Sequence, residues 1–231
     1  MNAWEIFYEQ FITLDGYKKV IEGLLATLEI ACLGLVIGFV IGCLLAVMKL
    51  LPYKNWLAKL LNWIANVYVA IFRGTPMVVQ LLLIHFALFP AIGIVIDPVI
   101  EACIAFGMNS GAYICEIMRG GILSVDKGQM EAGRAIGLGY GKTMISIIIP
   151  QAIKNVVPTL GNEFIALIKE TSVVSFIAVV DITRAFQNFA NSTLEYFVPY
   201  IVLALCYLVM VLIVTVIVRL IEGRMRRSDR R

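Results

Sequence analysis

Segment 196–218 contains no charged residue. A helix needs about 20 predominantly apolar residues to cross the hydrocarbon of a bilayer. In that medium every backbone amide must find its hydrogen bond inside the protein, so an uncharged run of this length predicts a spanning helix. Four further segments repeat the pattern with interruptions. Segment 24–48 is broken only by Glu29, and 74–96 holds no formal charge besides the titratable His85. Segment 98–118 carries Glu101 near its start and Glu116 near its end, and 160–180 carries Glu163, Lys169 and Glu170. Composition supports the same class. The chain is 61% hydrophobic and 15% charged, whereas soluble domains are about 45–50% apolar and about 25% charged. A soluble enzyme, a disordered chain and a nucleic-acid reader are thereby excluded, and the fold predicted is all-α and integral to a membrane.

The loops orient these spans. Basic residues collect in cytoplasmic loops. Glu5, Glu9, Asp15, Lys18, Lys19 and Glu22 precede the first span, and Lys49, Lys54, Lys59 and Arg73 follow it without an acid. Asp97 and Glu101 come next, then Arg119, Lys127, Arg134, Lys142 and Lys154 against Asp126 and Glu131. Asp181, Arg184 and Glu195 precede the last span, and Arg219, Arg224, Arg226, Arg227, Arg230 and Arg231 follow it against Glu222 and Asp229. This alternation fits five transmembrane helices with the N-terminus outside and the C-terminus inside, all in one transmembrane domain spanning 1–231. The first residues lack the basic and apolar regions of a signal peptide, so the spans themselves are expected to direct insertion. Aromatic spacing predicts two short interfacial helices, one at Trp4, Phe7, Tyr8 and Phe11 and one at Trp56, Leu60, Trp63 and Val67.

The residues carry little chemistry. Cys32, Cys43, Cys103, Cys115 and Cys206 all lie in apolar runs with no CxxC spacing, and His85 is the single histidine. Neither a disulfide framework nor a metal site is expected, and His85 reads as a packed, hydrogen-bonded residue. Gly139-Tyr140-Gly141-Lys142-Thr143 contains a GKT, but a phosphate-binding loop needs a glycine where Ile136 stands. No catalytic residue, metal or cofactor is assigned to this chain.

The loop 119–152 is the most informative segment. Glycine clusters and Pro150 bracket 129–136, a stretch of good helix formers too short to persist alone in water. Ala132, Gly133 and Ala135 permit close approach to another surface, Glu131 suits a helix N-terminus, and Gly137 suits the left-handed residue that ends a helix. Glu131-Ala132-Gly133, then Gly137, then Ile147 and Ile149-Pro150 resembles the EAA motif of ATP-binding-cassette importer permeases, EAA-x3-G-x9-I-x-LP. Gly133 replaces the third alanine and Ile149 the leucine. Phe72-Arg73-Gly74-Thr75-Pro76…Gln80, Asn109-Ser110-Gly111-Ala112-Tyr113…Glu116…Arg119-Gly120-Gly121-Ile122, Lys127-Gly128-Gln129, Leu160-Gly161-Asn162-Glu163-Phe164 and Lys169-Glu170-Thr171-Ser172 resemble the polar amino acid branch.

The resemblance implies a permease subunit of an ATP-driven amino acid importer in a bacterial plasma membrane, working by alternating access. Its implied partners are cytoplasmic ATPase subunits that bind ATP and magnesium, an external solute-binding protein, a second permease copy or paralogue, an amino acid and membrane lipid, with no nucleic acid. Glu131, Ala132, Gly133, Arg134, Gly137 and Pro150 would form the coupling segment that seats on the ATPase.

Charges at the centre of a spanning helix cost about 2.5–3.5 kcal/mol each on insertion scales. They are therefore expected to face protein or water. Asn109, Tyr113 and Glu116 fall on one helical stripe. With Lys169, Glu170, Thr171, Ser172 and Glu29 they are the expected lining of a substrate pathway. The alternative is that Glu116 and Lys169, or a similar pair, only tie helices together. Of the other functions considered, a self-contained secondary transporter or channel leaves the docking loop without a purpose. An intramembrane enzyme lacks a nucleophile and a base.

Overall fold

A computed structural model describes residues 2–51 and 55–228, and the described residues contain helices and no strand. Lys54, Asp229, Arg230 and Arg231, counted in the charge pattern, lie outside them. Helix α1 is Ala3–Tyr8, continued by a wide turn at Glu9–Thr13. Helices α2 (Gly16–Leu50), α3 (Trp56–Gly74), α4 (Met77–Ala91) and α5 (Pro98–Leu123) follow. A short α6 (Lys127–Ala135) leads into α7 (Tyr140–Ile177), whose end, Thr171–Ile177, tightens into a 3-10 helix. Helices α8 (Ile182–Thr193) and α9 (Phe197–Ser228) complete the chain.

The central contact is α2 against α5, and glycine makes it possible. Gly34, Gly38 and Gly42 on α2 receive Phe106, Ser110 and Ile114 of α5, while Gly107 and Gly111 receive Ile37 and Ile41 in return. Residues four apart share one face of a helix, so each helix offers alternating notches and knobs at the same pitch. A Cβ on Gly38 would sit 2.8 Å from the Ser110 Cβ, and one on Gly42 would sit 2.6 Å from the Ile114 Cγ2. Lipid tails are as apolar as leucine, so helices in a membrane associate through this close packing rather than through water exclusion.

By length and apolar content α2, α7 and α9 each suffice to cross a membrane, and α3 with α4 would make a fourth crossing bent by 106°. Helix α5 is 26 residues long but is diluted by Glu101, Asn109, Ser110 and Glu116. The elements differ from the sequence reading at α8, which stands where only a loop was expected, and at two further places. The expected span 74–96 begins instead at a break, because α3, expected as a short interfacial helix, runs on to Gly74 before the chain turns at Thr75 and Pro76. The second half of the expected loop 119–152 is the start of α7. Proline conceals this in the sequence, since it removes a donor and its ring crowds the carbonyl four residues back. Wide turns at Met144–Ile148 and Ile84–Leu88 absorb that crowding, each ending two residues before a proline, Pro150 and Pro90, and the helix carries on.

Contacts define two ends of the molecule. At one, the wide turn after α1 packs on α8 through the Phe11–Phe189 rings and the Gln10–Ser192 hydrogen bonds, close to Gly16 at the start of α2. Asp181 is fully buried there and caps α8 by accepting from the Thr183 and Arg184 amides. At the other end, Lys49 of α2, Asn62 of α3, and Glu116 and Arg119 of α5 come together, and α6 follows the end of α5. Between them α3 and α4 climb alongside α5. Asn62 meets the Lys49 carbonyl at the end that holds Glu116, Tyr68 bonds the Met108 carbonyl midway, and His85 meets Glu101 at the opposite end.

Candidate functional site

The break between α3 and α4 frees backbone carbonyls at membrane depth, where each must be satisfied by protein. Gln80 does most of this. Its Nε2 donates to the Phe72 carbonyl at 2.8 Å and to the Thr75 carbonyl at 3.0 Å. Asn109 Nδ2 donates to the Gln80 Oε1 at 2.9 Å and to the Phe72 carbonyl at 3.3 Å. Asn109 and Gln80 are both buried. Asn109, expected on the pathway, therefore clamps the bend, and the Phe72–Gln80 motif acquires a structural reason.

The expected stripe on α5 is divided among three neighbours. Tyr113 stays exposed with the Arg73 guanidinium 5.3 Å above its ring. Glu116 accepts from Lys49 Nζ at 2.6 Å and from the fork of Arg119 at 2.7 and 3.0 Å. Its partner is thus Lys49 on α2 rather than Lys169, and the cluster ties the C-terminal end of α2 to α5. Ser110, buried between Gly38 and α7, donates to Glu163 Oε1 at 2.9 Å. Glu163 is thereby a link between α5 and α7 at mid-depth.

Helix α7 carries a face that hydropathy alone passes over. Asn155, Thr159, Asn162 and Lys169 are exposed, with Ala166 between them. These positions step by four, three, four and three, a single stripe down the helix. Gly161, on another face, packs against Val218 of α9. The helix ends in an anchored segment. Leu167, Ile168 and Thr171 are buried, and the Thr171 hydroxyl bonds the Ile168 carbonyl at 2.7 Å. Ser172 bonds the Lys169 carbonyl in the same way at 3.0 Å. Lys169 and Glu170 are held outward between these anchors, and Glu29 is exposed on α2. The sequence reading does not single out Asn155 or Thr159, and Asn162 enters it only within the 160–164 motif, not as a pathway residue. Their spacing was the available signal.

Helix α6 is built to present one face and seat the other. Asp126 caps it by accepting from the Gly128 amide at 2.7 Å. Glu131, Ala132 and Arg134 are exposed, and Gly133 is buried against Thr143 of α7. A Cβ on Gly133 would meet the Thr143 Cγ2 at 2.5 Å, so glycine replaces the family's alanine where a threonine methyl fills the space. Thr143 is fully buried and donates to the Gly139 carbonyl at 3.1 Å, so the threonine of the GKT is a packing residue. The helix closes on Gly137 at φ +86°. The Leu138 amide reaches back to the Gly133 carbonyl and the Gly137 amide to the Arg134 carbonyl, which satisfies the last orphan acceptors. Pro150 lies beyond the seat, in the first turn after the wide segment of α7.

Comparison with known proteins assigns these features a context. Residues 26–227 match the family described as binding-protein-dependent transport system inner membrane component. The arginine transport system permease protein ArtQ of Bacillus subtilis (strain 168) is 39% identical over 217 residues, 94% of this chain and 97% of that one. The glutamine transport system permease protein GlnP of Escherichia coli (strain K12) is 39% identical, covering 90% and 93%. The L-cystine transport system permease protein TcyB of Bacillus subtilis (strain 168) is 38% identical, covering 97% and 92%. Among solved structures, a chain of an amino acid ABC transporter with histidines superposes with a TM-score of 0.84 at 39% identity over 92% of this chain and 96% of its own. The MetNI methionine ABC transporter in an inward-facing conformation gives 0.73 at 17% identity over 89% and 95%, a likeness of fold.

Proposed function

This chain belongs to the binding-protein-dependent transport system inner membrane components, and we propose that the exposed polar face of α7 is one wall of the route by which a polar amino acid crosses the bilayer. As a member of that family it is a multi-pass permease subunit of a bacterial plasma-membrane importer, and ATP is hydrolysed by a partner chain. The observation that carries the pathway reading is the stripe Asn155, Thr159, Asn162 and Lys169, polar and uncovered on a helix at membrane depth. Lipid does not solvate such a face. Water, substrate or a second permease half has to. Glu29, Glu170 and the Arg73–Tyr113 pair border the same question, since each is charged or polar and exposed. Thr171 and Ser172 hold the end of the stripe in place.

In this reading the chain crosses five times, through α2, the broken α3–α4 pair, α5, α7 and α9. The basic cluster around Lys49 and Arg119 supports taking that end as the inner one, with the N-terminus outside. Helix α6 lies at that inner end with Glu131 and Arg134 outward, the position for contact with an ATPase. A displacement of α6 is passed to α7 because Gly133 sits directly on Thr143. The arginine, glutamine and cystine permeases are almost equally similar, which supports a polar amino acid as cargo without selecting one.

The test is reconstitution with the cognate ATPase and solute-binding protein in proteoliposomes. Uptake should require ATP, and Glu131→Ala should abolish most substrate-stimulated hydrolysis while the chain stays in the membrane. Uptake by this chain alone, driven by an ion gradient, would overturn the reading.

A further inference from the structure

Lys169 and Glu170 are adjacent, oppositely charged and exposed, yet neighbours in a helix point about 100° apart and do not face each other. Among the described residues neither side chain makes a hydrogen bond or an ion pair. Their rotation is fixed, because Leu167 and Ile168 before them and Thr171 after them are buried. Apart from their attraction to each other as neighbours, both charges therefore leave the chain with no hydrogen-bond or ion-pair partner among the described residues. The contrast with the same helix is direct. Glu163, about two turns earlier, has its Ser110 hydroxyl at 2.9 Å.

A two-fold axis along the membrane normal satisfies such a pair in a way that a single chain does not. In an isologous interface, residue i of one copy meets residue j of the other, and j meets i. Equal heights face each other across that axis, and consecutive helical residues differ by only about 1.5 Å in height. Lys169 of one copy then lies level with Glu170 of the other, and the reverse contact forms at the same time. We propose that Lys169 and Glu170 close two reciprocal ion pairs with the same residues of a second copy of this chain, fixing the register of the two α7 helices at the midline. Any shift that placed lysine on lysine would bring glutamate onto glutamate, so the pair acts against misregister as well as for assembly. This inference rests on the reading of α7 as the face of the pathway. Its own content is the identity of the partner and the contact.

Zero-length carbodiimide coupling of the assembled, ATPase-bound complex in nanodiscs tests it without a mutation. A covalent permease dimer should form, with a tryptic peptide joining Lys169 of one copy to Glu170 of the other, and K169Q should abolish it. A two-copy complex that yields no such link overturns the contact and leaves the pathway reading standing. A complex holding one copy of this chain beside a different permease overturns the second copy as partner. A complex with a single permease chain overturns the pathway reading itself. Charge reversal supplies the second arm: K169E or E170K alone should lower transport by about tenfold, and K169E/E170K together should return it to within about threefold of the parent. A double variant no better than the singles would overturn the reciprocal pairing.

Discussion

Helices α7 and α9 are the least covered of the helices long and apolar enough to span a membrane: 17% and 6% of their most apolar stretches are buried, against 39% for α2. Their surfaces nevertheless differ. Helix α9 exposes Leu205, Leu208, Leu212 and Val216 and carries no charge before Arg219. Helix α7 exposes Asn155, Thr159, Asn162, Lys169 and Glu170. The same geometric exposure thus implies lipid around one helix and water or protein around the other. The chemistry of the uncovered side chains, rather than the uncovered area, separates the two environments.

An arginine placed on each helix tests this most severely. Leu208→Arg should destabilise the inserted protein by about 2.5–3.5 kcal/mol, the cost of a charge near the bilayer centre. Asn162→Arg should stay within about 0.5 kcal/mol, as for a solvated surface. Both are measured by yield in the membrane fraction and by thermal midpoint in nanodiscs, and equal costs would break the distinction. The seam between the helices comes next. Gly161→Leu should cost about 1–3 kcal/mol through overpacking, because a Cβ there already meets a Val218 methyl carbon at 2.5 Å. Val218→Ala should recover much of that loss in the same thermal assay.

Subtler changes sharpen the comparison. Thr159→Val should leave stability within about 0.5 kcal/mol while slowing uptake severalfold. A face that only packed would give the opposite pattern. Cysteine labelling separates the faces with the least perturbation of all. Asn155→Cys and Asn162→Cys should react with a membrane-impermeant thiol reagent during turnover, and Val209→Cys should not. Reaction at Val209→Cys, with the α7 positions silent, would reverse the assignment.

Much of this was legible along the chain. Apolar runs and loops alternating in charge gave the class of protein, since burial of the backbone in lipid leaves few alternatives to a helix. The spacing from Glu131 to Gly137 gave the short helix α6, because a helix that seats on another surface needs a small residue inward and a left-handed residue at its end. Asn109, Tyr113 and Glu116 were legible as one stripe but not as to what each would meet. Their partners, Gln80, Arg73 and Lys49, lie 29, 40 and 67 residues away in sequence. The notches Gly34, Gly38, Gly42 and Gly107, Gly111 were also visible as spacings, yet only the superposition of two helices shows that each fits the other's knobs.

The sequence by itself determined that the chain is a bundle of membrane helices, which loops are basic, and where a short helix would project. Those properties are local: hydrophobicity over one span, charge within one loop, and capping within one turn. Tertiary structure decided that Glu116 is held by Lys49, that Asn109 and Gln80 seal a broken helix, and that Asn155, Thr159 and Asn162 are left uncovered together. Each of these depends on which distant group comes within about 3 Å, the reach of a hydrogen bond. Residue type fixes the need for a partner, and packing of the helices chooses it.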